Sequence, residues 1–309
     1  MTGTGHSSAL SAPASGVLSA EREGDILEVK NVSAAYGPYR ALFDVSFSVP
    51  AGAVVALIGS NGAGKSTVAR TITGLVTATE GSVSLAGTDV TRLPAWRIAR
   101  LGMAHVVEGR GVFSSLSVEE NLVLVFRQRA GRRSVAANLQ LAYEEFPILG
   151  ERRRQAAGTL SGGQQRLLSL AKVLVVPPRL LVADELSLGL APVVVDAVYQ
   201  GLEAINRNGT AMLVVEQQVD RVLKLASRAL VLDRGRVAYD GTPAGAATVI
   251  DQLLSRRDEA GARAATLVEA TDDAVSAPQA ADMVADDVGG DMSGPQGSPS
   301  SEGTPQSGS

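Results

Sequence analysis

Between the apolar run Val54 to Ile58 and a helix-like stretch from Val68 onward lies Gly59-Ser60-Asn61-Gly62-Ala63-Gly64-Lys65-Ser66, with the spacing G-x-x-x-x-G-K-[ST]. Its glycines let the main chain curl tightly enough for successive N–H groups to converge on phosphate oxygens. The start of the following helix adds a partial positive charge. Lys65 supplies a cation for β- and γ-phosphates, and the Ser66 hydroxyl is a ligand for Mg²⁺. A second anion-binding pattern follows at Leu160-Ser161-Gly162-Gly163-Gln164, where Ser161 caps a helix and the two glycines leave its first N–H groups open. Asp184 and Glu185 close the apolar run Leu180-Leu181-Val182-Ala183, with Asp184 placed to hold Mg²⁺ through water and Glu185 to polarise a water in line with a γ-phosphate. The chemistry these residues point to is binding of a nucleoside triphosphate and attack of water on it.

Such groups act together only if strands and helices carry them to one edge. Ile26 to Val29 and Phe43 to Phe47 alternate with period two and read as antiparallel strands, and Val83 to Leu85 resembles another short one. The runs at 54–58, 180–183, 211–215 and 229–232 are continuously apolar, the mark of strands buried on both faces of a parallel sheet. Helical stretches are expected near 65–74, 163–175, 192–206 and 218–226. This alternation predicts an α/β sheet with crossover helices and an added antiparallel section. Residues 113–158 differ in kind: Ser117 and Glu120 form a capping box, a second helix is expected from Val135 to Phe146, and the whole reads as an inserted helical subdomain. Its arginines at 127, 129, 132, 133 and 152–154 have no aromatic residues interleaved, so a solvated or docking face is expected rather than a nucleic-acid surface.

Composition bounds the rest. In 309 residues with 45% hydrophobic content but only 4% aromatics, the core must be built of Val, Leu, Ile and Ala. The absence of cysteine excludes disulfides, thiolate metal sites and cysteine nucleophiles, and fits a reducing compartment. No apolar run is long enough to cross a bilayer, and the first twenty residues lack the pattern of a signal peptide. The net charge of −4 is uneven: residues 1–265 carry 28 basic and 24 acidic groups, while 266–309 hold eight acids and no Lys or Arg. Residues 1–24 are therefore expected to form a flexible extension, 25–258 a folded domain and 259–309 an acidic disordered tail.

Taken in order, these motifs resemble the ATP-binding cassette ATPases over about residues 25–256. The resemblance implies an α/β P-loop NTPase cassette: a RecA-like parallel-sheet core, an antiparallel β subdomain and an inserted α-helical subdomain. Gly59, Ser60, Asn61, Gly62, Ala63, Gly64, Lys65, Ser66 and Thr67 look like Walker A, Leu160 to Gln164 like the family signature, with Ser161, Gly162, Gly163 and Gln164 as its nucleotide-binding residues, and Leu180 to Glu185 like Walker B with its catalytic glutamate. Ser187-Leu188-Gly189-Leu190 resembles the D-loop, and Tyr36 falls where the family stacks an aromatic on adenine. The implied cofactors are ATP and Mg²⁺, the latter held by Ser66, Asp184 and Glu108. The implied mechanism is a head-to-tail dimer of ATPase subunits that closes on two ATP molecules and opens on hydrolysis.

The run from Glu108 to Leu122, with Ser187 to Pro192 and Val214 to Gln218, narrows the resemblance to ATP-binding subunits of bacterial branched-chain amino acid importers and the similar urea and amide importers. The resemblance implies transmembrane permease subunits, a second ATPase subunit and, indirectly, a solute-binding protein as partners. It places the chain on the cytoplasmic face of the plasma membrane and implies no nucleic-acid partner. Three positions depart from the wider family. Gln217 stands where most members have the switch histidine, Glu108 where most have the Q-loop glutamine, and Leu186 where a proline usually follows the Walker B glutamate, a change expected to loosen the turn. Gln217 still donates a hydrogen bond but carries no positive charge, which leaves open a non-catalytic ATP-binding role beside a hydrolysing partner. His6 and His105 are not expected to be catalytic, the latter reading as part of a strand.

Overall fold

The computed structural model describes residues 24–107, 111–253 and 255. The chain divides after Arg257, and every described residue belongs to the first of the two units. The expected N-terminal extension and acidic tail, together with Glu108, lie outside the described residues, except for Gly24.

Two sheets carry the fold. The first is antiparallel, in the order β2-β1-β4-β5, and comprises β1 (Asp25–Tyr36), β2 (Tyr39–Pro50), β4 (Ala78–Leu85) and β5 (Thr88–Asp89). Strands β1 and β2 run well beyond the short alternating stretches legible in the sequence, because their register shifts along the pair. Asn31 and Asp44 sit at positive φ (51° and 55°), and the Asn31 amide donates to the Asp44 carboxylate at 2.7 Å. Short polar side chains tolerate that conformation, so the strand bends without ending, and strict alternation is lost there.

The second sheet has the order β10-β9-β3-β8-β7-β6, parallel from β9 to β6 with β10 antiparallel at the edge. Its strands are β3 (Val54–Ile58), β6 (Met103–Val107), β7 (Leu180–Asp184), β8 (Ala211–Glu216), β9 (Arg228–Asp233) and β10 (Arg236–Gly241). Every residue of β3, β7 and β8 is buried, as continuous apolar runs demand of strands covered on both faces. The two faces feed two cores. Val54, Ala56 and Ile58 pack with Leu181, Ala183, Met212 and Val214 toward α6 (Gly162–Val175) and α7 (Pro192–Arg207). Val55 and Leu57 pack with Val182, Leu213 and Val215 toward α1 (Lys65–Ile72) and the antiparallel sheet.

Helices α2 (Ala95–Arg100), α3 (Val118–Ala130), α4 (Val135–Glu145), α5 (Pro147–Glu151) and α8 (Val219–Leu225) complete the numbered elements, and residues 243–253 are also helical. The segment α3 to α5 is the insertion between β6 and α6, and its arginines at 127, 129, 132, 133 and 152–154 are all exposed. At α3 the expected capping box is present: Ser117 Oγ accepts from Glu120 N, and Glu120 accepts from Ser117 N at 2.7 Å. One turn further, the fully buried Asn121 organises the approach to the insertion. Its Oδ1 accepts from Phe113 N (2.8 Å) and Lys172 Nζ (3.0 Å), while its Nδ2 donates to the carbonyls of Phe113, Leu116 and Ser117.

An Asn121→Leu substitution leaves the Phe113 N–H without its acceptor, takes one of two partners from Lys172 Nζ, and removes a second donor from the carbonyls of Phe113, Leu116 and Ser117. Urea unfolding is expected to show a loss of roughly 2–4 kcal/mol; an unshifted midpoint would show that water replaces the amide at no cost.

Candidate functional site

The site is assembled by strand register. Ile58 of β3 pairs with Glu216 of β8, and Asp184 of β7 pairs with Val215 of β8, so three parallel strands end at one level. Ligands of open α/β sheets bind at such carboxyl ends, and here the loops after β3, β7 and β8 meet.

After β3 the chain makes the phosphate loop. Gly59 has no room for a side chain, since a Cβ there would lie 2.3 Å from the Leu232 carbonyl oxygen. Gly64, at φ 103°, is the N-cap of α1. Ala63 N donates to Ser60 O, and Gly235 N to Ala63 O at 2.8 Å, which seats the loop against the β9–β10 turn. Lys65 is buried, with Nζ 3.3 Å from Ser60 O and 3.6 Å from Glu185 Oε1. Ser66 Oγ donates to Asp184 Oδ1 at 3.4 Å.

Burial, with the adjacent Glu185 charge, pushes the Asp184 carboxyl up to about 6, against smaller opposing effects of the Ser66 hydrogen bond, Arg70 and Lys65. No cluster of three or more His, Asp or Glu side chains that could hold a metal occurs among the described residues. One hydroxyl and one under-compensated carboxylate nevertheless match Mg²⁺, which takes few protein ligands and completes its shell with phosphate oxygens and water.

Glu185 stands at φ 51°, its N–H held by Val215 O at 2.9 Å, and Gln217 Nε2 donates to its Oε1 at 2.9 Å. Lys65, Ser66, Asp184, Glu185 and Gln217 thus form one contiguous group. The expected loosening at Leu186 does not occur: its side chain is 1% exposed and packs into the core beneath the sheet, anchoring the turn. His105 lies within β6 as expected, and burial with the Arg70 charge lowers it to about 4, so it is neutral near pH 7.

Other expected residues lie apart from this group. Ser161 caps α6 and Gln164 completes its capping box, so both side chains are engaged within their own helix turn. The glycines there differ. Gly162 faces open space, whereas a Cβ on Gly163 would lie 2.5 Å from Val194 Cγ1, so Gly163 is required by packing against α7. Tyr36 is 44% exposed at the β1–β2 turn and does not line the cavity of about 450 Å³ at the phosphate loop, which Arg40, Phe43, Lys65, Ser66, Glu185 and Arg234 do. Phe43 of that wall has the Arg40 and Arg236 guanidinium groups 5.2 and 5.3 Å from its ring centroid.

Two features were not singled out from the sequence. Glu216, buried at the end of β8, accepts from Ser187 N (3.0 Å), Ser187 Oγ (2.7 Å) and Gln217 N (3.3 Å), and burial raises its pKa. Its signal is an acid closing an apolar run, the same pattern that exposed Asp184. The second is a cleft of about 740 Å³ between the core and the inserted helices, lined by Leu75, Ala99, Met103 and Val125 and reaching Ser66, Asp184 and Glu185.

With a phosphate loop, a hydroxyl–carboxylate pair and a strand-end glutamate on one sheet edge, the fold and site define a nucleotide-binding ATPase cassette. The family model described as "ABC transporter" matches residues 42–187. The high-affinity branched-chain amino acid transport ATP-binding protein BraG of Pseudomonas aeruginosa is 42% identical over 225 residues, 72% of this chain and 95% of that protein. A probable branched-chain amino acid transport ATP-binding protein, LivF, of Archaeoglobus fulgidus is 34% identical over 218 residues, covering 70% and 92%. A solved structure described as the ATP-binding subunit of an ABC transporter superposes with a TM-score of 0.62 at 29% identity, covering 70% of this chain and 90% of that one. The chain belongs to the ABC transporter family, as an ATPase subunit whose ATP hydrolysis is coupled to transport. The expected cassette fold and family are borne out, and no helix among the described residues is long and apolar enough to cross a membrane.

Because the folded pKa of Asp184 lies above its ordinary 3.8, the ionised carboxylate costs stability above about pH 6, and the cost fades as pH falls toward 4. Asp184→Asn is therefore expected to raise the Tm of the nucleotide-free chain by about 2–6 °C at pH 7.5 and hardly at all at pH 4.5. A lower Tm at pH 7.5 would reverse the sign argued here.

Proposed function

We propose that the chain binds MgATP, hydrolyses it, and powers uptake of branched-chain amino acids through a membrane permease. The observation that carries the hydrolytic part is the Glu185 carboxylate, with Lys65 Nζ at 3.6 Å and the Gln217 amide at 2.9 Å from the same oxygen. On this reading Gly59 to Thr67 cradle the phosphates, Lys65 neutralises them, and Glu185 takes a proton from the attacking water while Gln217 orients it. Ser66, Asp184 and Glu108 hold Mg²⁺, which when bound offsets charge on the β- and γ-phosphates. Tyr36 stacks on adenine from the exposed β1–β2 turn, and Ser161 to Gln164 of a second ATPase subunit cover the other side of the nucleotide. Exposed Gly162, with open space around it, suits close approach of that second chain. The branched-chain solute rests on what the two relatives are named for and on the resemblance of the 108–122 run; urea or a short amide is the alternative solute class.

The permease partner and the cytoplasmic face of the membrane are part of the same proposal. The cleft suits an inserted segment of a membrane subunit, since Leu75 on its lining is apolar and 60% exposed and its floor reaches the hydrolytic group.

Steady-state hydrolysis by the full chain tests the enzymatic part. Glu185→Gln is expected to lower kcat by roughly 10²–10⁴-fold while retaining ATP binding, and Lys65→Ala to abolish binding of a fluorescent ATP analogue. ATP binding without turnover, alone and with a second ATPase subunit, would favour the non-catalytic role that the neutral Gln217 leaves open. Leu75→Asp, on an exposed position, is expected to release the chain from permease-containing membranes with its own ATPase rate unchanged. Undiminished retention would exclude the cleft as the docking site. Leucine uptake by the assembled transporter, against urea as competitor, decides the solute.

A further inference from the structure

Glu216 is 2% exposed and Ser187 1% exposed, and neither belongs to the hydrolytic group itself. A buried carboxylate is costly, and this one is held by neutral donors: the N–H and hydroxyl of Ser187 and the N–H of Gln217. Flanking them, Glu185 N donates to Val215 O, and Gln217 Nε2 to Glu185 Oε1. Glu185 and Ser187 are thus both tied to residues 215–217, by side chains as well as main chain. The far end of the same loop is tied elsewhere: Arg166 Nη1 of α6 donates to Leu188 O at 2.6 Å. Hydrogen bonds from Gln217 through Glu216 to Ser187, the peptide link from Ser187 to Leu188, and the Arg166 bond to Leu188 O thus connect the strand end to α6, whose N-terminus carries Ser161 to Gln164.

We infer that Glu216 is a positioning residue for hydrolysis, clamping the Ser187–Leu190 loop to the strand end that presents Gln217, so that the two loops shift as one body when the γ-phosphate is lost. The inference rests on the hydrolytic reading of Glu185 and Gln217. A valine at 216 would cap the strand more cheaply but could accept from neither Ser187 donor, and a threonine offers one oxygen on a shorter side chain where the carboxylate gives each donor its own. What the carboxylate adds is a fixed distance between two loops that no main-chain ladder joins beyond residue 216. It acts through its neighbours and touches no reacting atom.

The test is the full chain carrying Ser187→Ala, Ser187→Thr or Glu216→Gln, each compared with wild type for kcat, KM and affinity for a fluorescent ATP analogue. Ser187→Ala removes only the hydroxyl donor, and Ser187→Thr restores it. Glu216→Gln sets an amide donor against donors already in place. The expected result for Ser187→Ala and Glu216→Gln is a fall in kcat on the order of 10- to 100-fold with KM and analogue affinity within about twofold, and recovery in Ser187→Thr. Wild-type kcat in Ser187→Ala, or a loss that appears in affinity rather than kcat, would overturn the inference while leaving the hydrolytic reading intact. A wild-type chain without ATPase activity, alone and with a second ATPase subunit, would instead remove the reading on which the clamp depends.

Discussion

The ladder joining β3, β8 and β7 is the constraint on which the site depends. Each strand is buried along its full length, and each alternates its side chains between two cores, so a slip of one residue in any pairing would exchange the layers. Val54, Ala56 and Ile58 could not then face α6 and α7, and Val55 and Leu57 could not face α1. Burial thus fixes register, and register fixes which residues finish at the carboxyl edge. Gly59, Asp184 and Glu216 stand at that edge because the strands behind them have no other low-energy alignment.

Much of this architecture is legible in the sequence because it rests on local rules. Continuous apolar runs gave β3, β7, β8 and β9 almost to the residue, and the capping box at Ser117 and the cap at Ser161 marked the starts of α3 and α6. Non-local features were not legible. The full lengths of β1 and β2 depend on a bend shared by Asn31 and Asp44, which are thirteen residues apart. Asn121 is polar within an apolar helix face, and its purpose appears only when the loop at 113–117 folds over it. Motif spacing named Ser161, Gly162, Gly163 and Gln164 as one group, yet folding divides them between cap, open surface and packing contact. Spacing records what a segment is able to do. It does not record what lies across from it.

Electrostatics at the sheet edge sharpen the reading of the site. Asp184, Glu185 and Glu216 gather within a few residues of strand end, with Lys65 against Glu185 and Arg70 felt by Asp184. Carboxylates so arranged repel a polyanionic nucleotide, and one of them, Asp184, is pushed toward protonation by its burial and by the Glu185 charge. The Ser66 hydroxyl, donating to Asp184 Oδ1 at 3.4 Å, offsets only part of that shift.

Gln217 completes this balance in a particular way. A histidine there would gain a proton near neutral pH and draw the Glu185 carboxylate into an ion pair, so the geometry of the hydrolytic group would depend on pH. The amide instead holds Glu185 Oε1 at 2.9 Å with a donor that does not titrate. The contact is weaker than a charged one. Orientation must then come from elsewhere. It comes from the positive-φ turn at Glu185, the buried Leu186 behind it, and the Glu216–Ser187 hydrogen bonds beside it. A neutral switch residue and a buried clamp are thus two halves of one solution, since giving up charge at 217 raises the demand on the scaffold that aims Glu185.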